Sequence, residues 1–237
     1  MLRALLLLLL LALLLVSAPV EAAGLPPIVA DARNAVPACV TPARLMQFVA
    51  ERNAAHRPAR SIDPRFTDIA SSYQRIGGCV ARPPGQCVGV RWDYAFFQML
   101  IETGYLTFHR PDGTPASIVP MDNNFAGVGA AISGKPGERF KDVETGVLAH
   151  LQHVLMYSTT PIPEPVAQRT RLVQNDVQDS MRRLRRPVTF DDLARIWTGS
   201  GHARYAATMR SLAERYAQRF CAPQTVADVK PPPTRSR

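Results

Sequence analysis

Lysine is nearly missing from this 237-residue chain. It occurs only at Lys135, Lys141 and Lys230, so the formal net charge of +9, from 28 Lys and Arg against 19 Asp and Glu, rests almost wholly on arginine. Such a balance favours an anionic partner. Cysteine is limited to Cys39, Cys79, Cys87 and Cys221, none in the close C-x2-C pairs of a zinc site. His150 and His153 lie three apart with no third ligand motif beside them. No G-x-S-x-G elbow supports a Ser/His/Asp triad, and no internal repeat is found. The unbroken apolar run from Ala4 to Val16 falls short of the roughly 20 residues a membrane-spanning helix needs. Neither a metal nor a cofactor is implied.

What is present begins with a secretory pattern. Arg3 precedes the apolar run, Pro19 breaks it, and Val20-Glu21-Ala22 supplies small residues for cleavage, so residues 1–22 read as a signal peptide. Export to the periplasm or the medium follows. In an oxidising compartment an even number of cysteines reads as two disulfides. The preferred pairing joins Cys79 to Cys87 across a Gly/Pro-rich loop and Cys39 to Cys221 across the ends of the domain. In an exported protein the available polyanions are wall polymers and lipid headgroups, not nucleic acid. Arg182, Arg183, Arg185 and Arg186 form the densest basic patch; a solvated helix face explains it, and contact with an anionic wall or membrane surface is the functional alternative.

The remaining length suits one domain with a sizeable core. Residues 23–38 read as a leader, 39–221 as the domain, and 222–237 as a Pro-rich basic tail with nothing to bury. The pattern predicts a mainly α fold. Thr41 caps a helix to about Ala55, a second amphipathic helix runs from Phe66 to Ile76, and Asp142 caps a third down to Tyr157. A helix from about Ala167 to Arg186 ends at Pro187; Thr189 and Asp192 approximate a capping box for the next, and Ala203–Phe220 closes the domain. Residues 121–140, with alternating Phe125, Gly127 and Gly129 and a Gly-Lys-Pro-Gly turn, predict one small β-hairpin.

The segment Asp93-Tyr94-Ala95-Phe96-Phe97-Gln98-Met99-Leu100-Ile101-Glu102-Thr103-Gly104-Tyr105 is a buried helix by composition, with Gly104 as its left-handed stop. Glu102 is therefore the one acid in its last turn. Unpaired carbonyls and desolvation both favour the protonated carboxyl there. That is the setting of a general acid, and a buried acid on a helix end beside a small hairpin is the lysozyme-like arrangement for a proton donor.

Four ordered motifs make the likeness specific: the helix 93–106, then Asn123-Asn124-Phe125-Ala126-Gly127-Val128-Gly129, then Phe140-Lys141-Asp142-Val143-Glu144-Thr145-Gly146-Val147 with Gln152-His153 and Tyr157, and late Trp197 and Tyr205. Over roughly residues 40–220 the chain resembles the glucosaminidase family of bacterial peptidoglycan hydrolases. The resemblance implies a lysozyme-like domain that cuts the β-1,4 bond after N-acetylglucosamine in wall glycan without a metal. Glu102 would protonate the glycosidic oxygen. For the second carboxylate Glu138 and Asp122 rank equally, Asp142 and Glu144 have a ready explanation as first-turn acids, and assistance by the substrate's own 2-acetamido group stays open. Asn123, Asn124 and Phe125 would line the sugar site with Tyr205 and Trp197, although turn geometry also explains the asparagines and core packing Trp197. Tyr157 reads as core. A monomer acting on peptidoglycan strands is expected; a muramidase or lytic transglycosylase on the same fold, or a catalytically silent wall-binding protein, are the rival readings.

Overall fold

The structure, a computed structural model, describes residues 24–78, 88–110, 112–116, 118–130 and 136–222. The expected signal segment, the preferred Cys79–Cys87 pair, Gly134 and Lys135 of the hairpin's expected turn and the tail beyond residue 222 lie outside the described residues. Seven helices order the rest: α1 (Pro42–Ala54), α2 (Ile69–Gly77), α3 (Trp92–Glu102), α4 (Val143–Tyr157), α5 (Gln168–Arg182), α6 (Phe190–Thr198) and α7 (His202–Phe220). The domain is mainly α. Among the described residues no helix is long and apolar enough to cross a membrane.

Local chemistry sets most boundaries. The Thr41 hydroxyl accepts from the Arg44 N–H with Pro42 opening α1, and Asp142 accepts from the Thr145 N–H at 2.7 Å to open α4. The box at α6 forms, with Thr189 and Asp192 each bonding the other's backbone. Helix α5 departs from expectation, because it stops at Arg182 rather than Arg186. Pro187 disfavours helix at the residue before it, Arg185 turns left-handed at φ 54°, and the Arg186 guanidinium is drawn onto the buried Asp192 carboxylate at 2.6 and 2.8 Å. Arg182 likewise pairs with Asp179, so half of the basic patch is engaged within the chain while Arg183 and Arg185 stay exposed.

Helix α3 is the axis. Lacking charge from Tyr94 to Ile101, it is buried on nearly all sides and packs against α2 and α4 and, across from them, α7. Its one buried ion pair sits at the start, where Arg91 holds Asp93 at 2.6 and 2.9 Å. The segment read as a leader joins the fold: Leu25 and Ile28 are core residues, and Ile28 bonds through its backbone to Val188 and Arg91. Cys39 and Cys221 are joined as preferred, Cα atoms 5.2 Å apart across a sequence separation of 182, fastening the start of α1 to the end of α7.

No β-sheet is formed among the described residues, only isolated bridges. Where a hairpin was expected, Glu138 N–H bonds to Val128 O and Phe140 N–H to Asp122 O. The other inward groups go to Asn124, whose amide donates to Val128 O and Glu138 O and accepts from the Val128 N–H at 2.9 Å. A side chain thus replaces the ladder.

Candidate functional site

Helix α3 ends at Glu102 because the next residues leave helical space. Thr103 caps it, and Gly104 takes φ 56° with no room for a side chain, since a Cβ there would stand 2.1 Å from the His109 carbonyl oxygen. Tyr105, Leu106 and Phe108 also adopt left-handed φ, an arrangement that costs roughly 1 kcal/mol or more per non-glycine residue. Such strain persists only where packing enforces it, and here Leu106 and Phe108 are buried and the Thr103 carbonyl and hydroxyl accept from Phe108 and Leu106. The acid is thereby fixed at a rigid corner.

Two donors from the C-terminal helices converge on one oxygen of Glu102. The Trp197 indole N–H of α6 reaches Oε1 at 2.9 Å and the Tyr205 hydroxyl of α7 reaches it at 2.5 Å. Oε2 takes no hydrogen bond from the described residues and is not among the enclosed unpartnered atoms. Burial raises the Glu102 pKa above the ordinary carboxylate value, and the two donors only partly oppose it. The Tyr205 hydroxyl is held firmly in its protonated form by burial first and by the neighbouring carboxylate second. The arrangement is a carboxyl that burial biases toward holding its proton and whose conjugate base already has its donors in place.

Behind Tyr205 runs a buried polar chain. The Tyr73 hydroxyl lies 2.7 Å from His150 Nδ1, and His150 Nε2 lies 3.3 Å from the Gln98 amide oxygen. Because that oxygen can only accept, Nε2 carries the imidazole proton and Nδ1 accepts from tyrosine. Burial pushes His150 down to about 3, so the ring stays neutral. Gln98 then turns its amide nitrogen toward the Tyr205 hydroxyl without an aligned bond. Gln98, His150 and Tyr73 are absent from the sequence-based site. Gln98 lies four residues before Glu102 on the same helix face, so the spacing was readable; its place in an apolar run concealed it.

The other predicted residues have different employment. Phe125 is fully buried and packs edge-on to Phe66 at 5.4 Å, while Asn124 is fully buried in the loop it holds, so neither presents a free face to a sugar. Asn123 sits in left-handed conformation with its amide donating to Phe140 O, and its carbonyl oxygen presses so closely on Gly146 that a Cβ there would stand 1.8 Å away. Trp197 donates to Glu102 and packs on His153 and Tyr157, the latter a core residue as expected.

Each candidate for a second carboxylate is engaged elsewhere. Both oxygens of Glu138 accept from the first N–H groups of α5, from Gln168 at 2.8 Å and Arg169 at 2.6 Å. Asp122 Oδ1 lies 2.7 Å from Arg139 Nε without an aligned bond. Asp142 caps α4, and Glu144 pairs with Arg75. His153 meets the Thr170 hydroxyl at 2.8 Å and is held by burial at about 4, so neither helix histidine presents a free nitrogen pair.

No family model and no solved structure matches this chain. An uncharacterized protein of Borreliella burgdorferi is 34% identical over 71 residues, which is 30% of this chain and 32% of that protein. The chain thus spans about a third of the relative's length.

Proposed function

We propose that this chain is an exported peptidoglycan hydrolase, an endo-β-N-acetylglucosaminidase of lysozyme-like helical form that cuts glycan strands with Glu102 as general acid. The observation that carries the reading is the Glu102 carboxyl itself: a pKa raised by burial, Oε2 open to a ligand, and Oε1 gripped by Trp197 and Tyr205. As the proton passes from Oε2 to the glycosidic oxygen, negative charge develops on a carboxylate whose two donors need no reorganisation. The sequence motifs that resemble the glucosaminidase family and the Cys39–Cys221 disulfide, which suits an oxidising compartment, support the same reading.

The occupation of Glu138, Asp122, Asp142 and Glu144 supports a particular second half of the reaction. With those carboxylates committed to helix ends and arginines, the sugar's own 2-acetamido oxygen serves as nucleophile at the anomeric carbon, which explains a preference for cutting after an N-acetylated sugar. Mass spectrometry of digested wall tests this reading. N-acetylglucosamine at the new reducing ends is expected from the wild type and none from Glu102→Gln; N-acetylmuramic acid or an anhydro sugar would assign the other linkage, and wall solubilisation by folded Glu102→Gln would remove the acid from its role. Intact wall pulled down without any clearing would mark an adhesion protein.

A further inference from the structure

Glu102 also lines a cavity of about 350 Å³ between the end of α1, the strained loop after α3 and α7. Its remaining ionisable lining is basic: Arg52, His56, Arg60, His109 and Arg110. Asp112 feels the charge of Arg110 across the turn, but no carboxylate among the described residues closes an ion pair with these arginines. Arg91, Arg186, Arg210 and Arg219 each hold a carboxylate, whereas Arg52, Arg60 and Arg110 form no ion pair with any described acid. Glu102, the one carboxylate present, is turned to Trp197 and Tyr205. Unpaired cations gathered around a hollow raise each other's energy unless an anion joins them.

One guanidinium is oriented by a ring and the others are placed by their turn. Arg52 lies over the Tyr105 ring at 5.4 Å from its centre. Arg60 reaches the turn at Gly113, and that turn is closed by Arg110 N–H to Thr114 O and Gly113 N–H to Arg110 O. The His109 Nδ1 is engaged by the Thr107 carbonyl at 2.5 Å, which leaves Nε2 without a partner among the described residues. A second hollow shares Arg60 and His109. Leu100, Ile101 and Leu212 give the first cavity apolar wall to set against methyl groups. Planar guanidinium forks around such a wall match a carboxylate carried on a short methyl-bearing substituent.

We infer that this cavity is the subsite for a carboxylate-bearing part of the glycan, either the lactyl group of a muramyl sugar or the short acidic peptide joined to it. The inference rests on the glycosidase reading of Glu102. It adds what that reading does not contain: a side of the cleft that selects acidic wall glycan over neutral N-acetylglucosamine polymer. The carboxylate accepts from Arg60 and Arg110, with Arg52 above Tyr105 completing the positive wall.

Titration of the full oxidised chain with N-acetylmuramic acid, its methyl ester, N-acetylmuramyl-L-alanyl-D-glutamate and N-acetylglucosamine, followed by NMR shifts, tests this directly. The monosaccharides have no bond to cleave. Acid should bind about tenfold tighter than ester, and Arg60→Gln with Arg110→Gln should erase that difference without lowering the melting temperature or changing ester binding. Tight dipeptide binding would assign the peptide carboxylates, and dipeptide binding at the ester's level would assign the lactyl group. Equal binding of acid and ester, or a preference that survives the double variant, overturns the subsite. A chain that cuts wall yet binds acid and ester alike loses only the subsite; one that keeps the preference yet never cuts wall loses only the glycosidase reading.

Discussion

Tyr205→Phe separates the chemistry of Glu102 from its packing. The substitution keeps the ring in place on α7 and removes one hydroxyl, the donor 2.5 Å from Glu102 Oε1. A hydrogen bond to a charged group is worth about 1.5–3 kcal/mol, and it is strongest once Glu102 has given up its proton. Because Glu102 is only half-buried by surface exposure and Trp197 remains as a second donor at 2.9 Å, the lower end of that range applies. That corresponds to a loss of roughly tenfold in kcat. The sign of the pH effect follows from the same bond. Tyr205 favours the carboxylate, so its removal raises the Glu102 pKa further. The limb on which activity falls with rising pH should therefore move to higher pH. Reducing-end release from purified walls, measured from acid to mildly alkaline pH, provides the assay. An unchanged kcat with an unmoved limb, or a limb displaced to lower pH while the protein melts as before, would show that the tyrosine does not serve the acid.

Glu102→Gln should abolish wall hydrolysis and raise stability at neutral pH. The folded pKa of Glu102 lies above its unfolded value, so the acid's favourable contribution is complete below the unfolded pKa and is lost as pH rises through the folded one; melting curves should show the variant's advantage growing across that window, and a variant less stable than wild type at neutral pH would contradict it. Gly146→Ala forces a methyl against the Asn123 carbonyl oxygen and should destabilise the domain by about 1–3 kcal/mol in denaturant titration, with activity lost in parallel as residues 122–128 shift. Cys221→Ser opens a closure spanning most of the domain and should cost about 2–5 kcal/mol, read as a lowered melting temperature that reduction of the wild type reproduces.

The parts of this fold legible in the sequence are those decided within a few residues. Thr41, Asp142 and the Thr189–Asp192 box act on N–H groups three positions away, so composition alone places the starts of α1, α4 and α6. Glu102 and Gly104 were legible for the same reason, since a lone acid in a charge-free run and a glycine two residues on need no partner to be noticed. Misreadings arose where a distant group decides. Alternating glycines suggested strands over 121–140, but Asn124 satisfies the backbone groups a ladder would have used. Arg186 read as helix until Asp192, six residues on, drew it away. The cavity arginines come from separate segments that only the left-handed loop after Glu102 brings together.

The polar chain Tyr73–His150–Gln98 gives a physical reason for α3 to be so apolar and yet interrupted. A glutamine in the centre of a core is expensive unless its amide is used, and its use here is directional. His150, kept neutral by burial, fixes which end of Gln98 points inward, and Gln98 in turn presents an N–H toward Tyr205. The Tyr205 hydrogen itself is turned by Glu102 Oε1, its acceptor at 2.5 Å. The groups on α2, α3 and α4 thus form a buried polar link, tied to the acid through the helix Glu102 shares with Gln98. The site at Glu102 is in this sense a property of the helix packing. The strained corner after α3 fixes where the carboxyl stands, and α6 and α7 bring two donors to one of its oxygens.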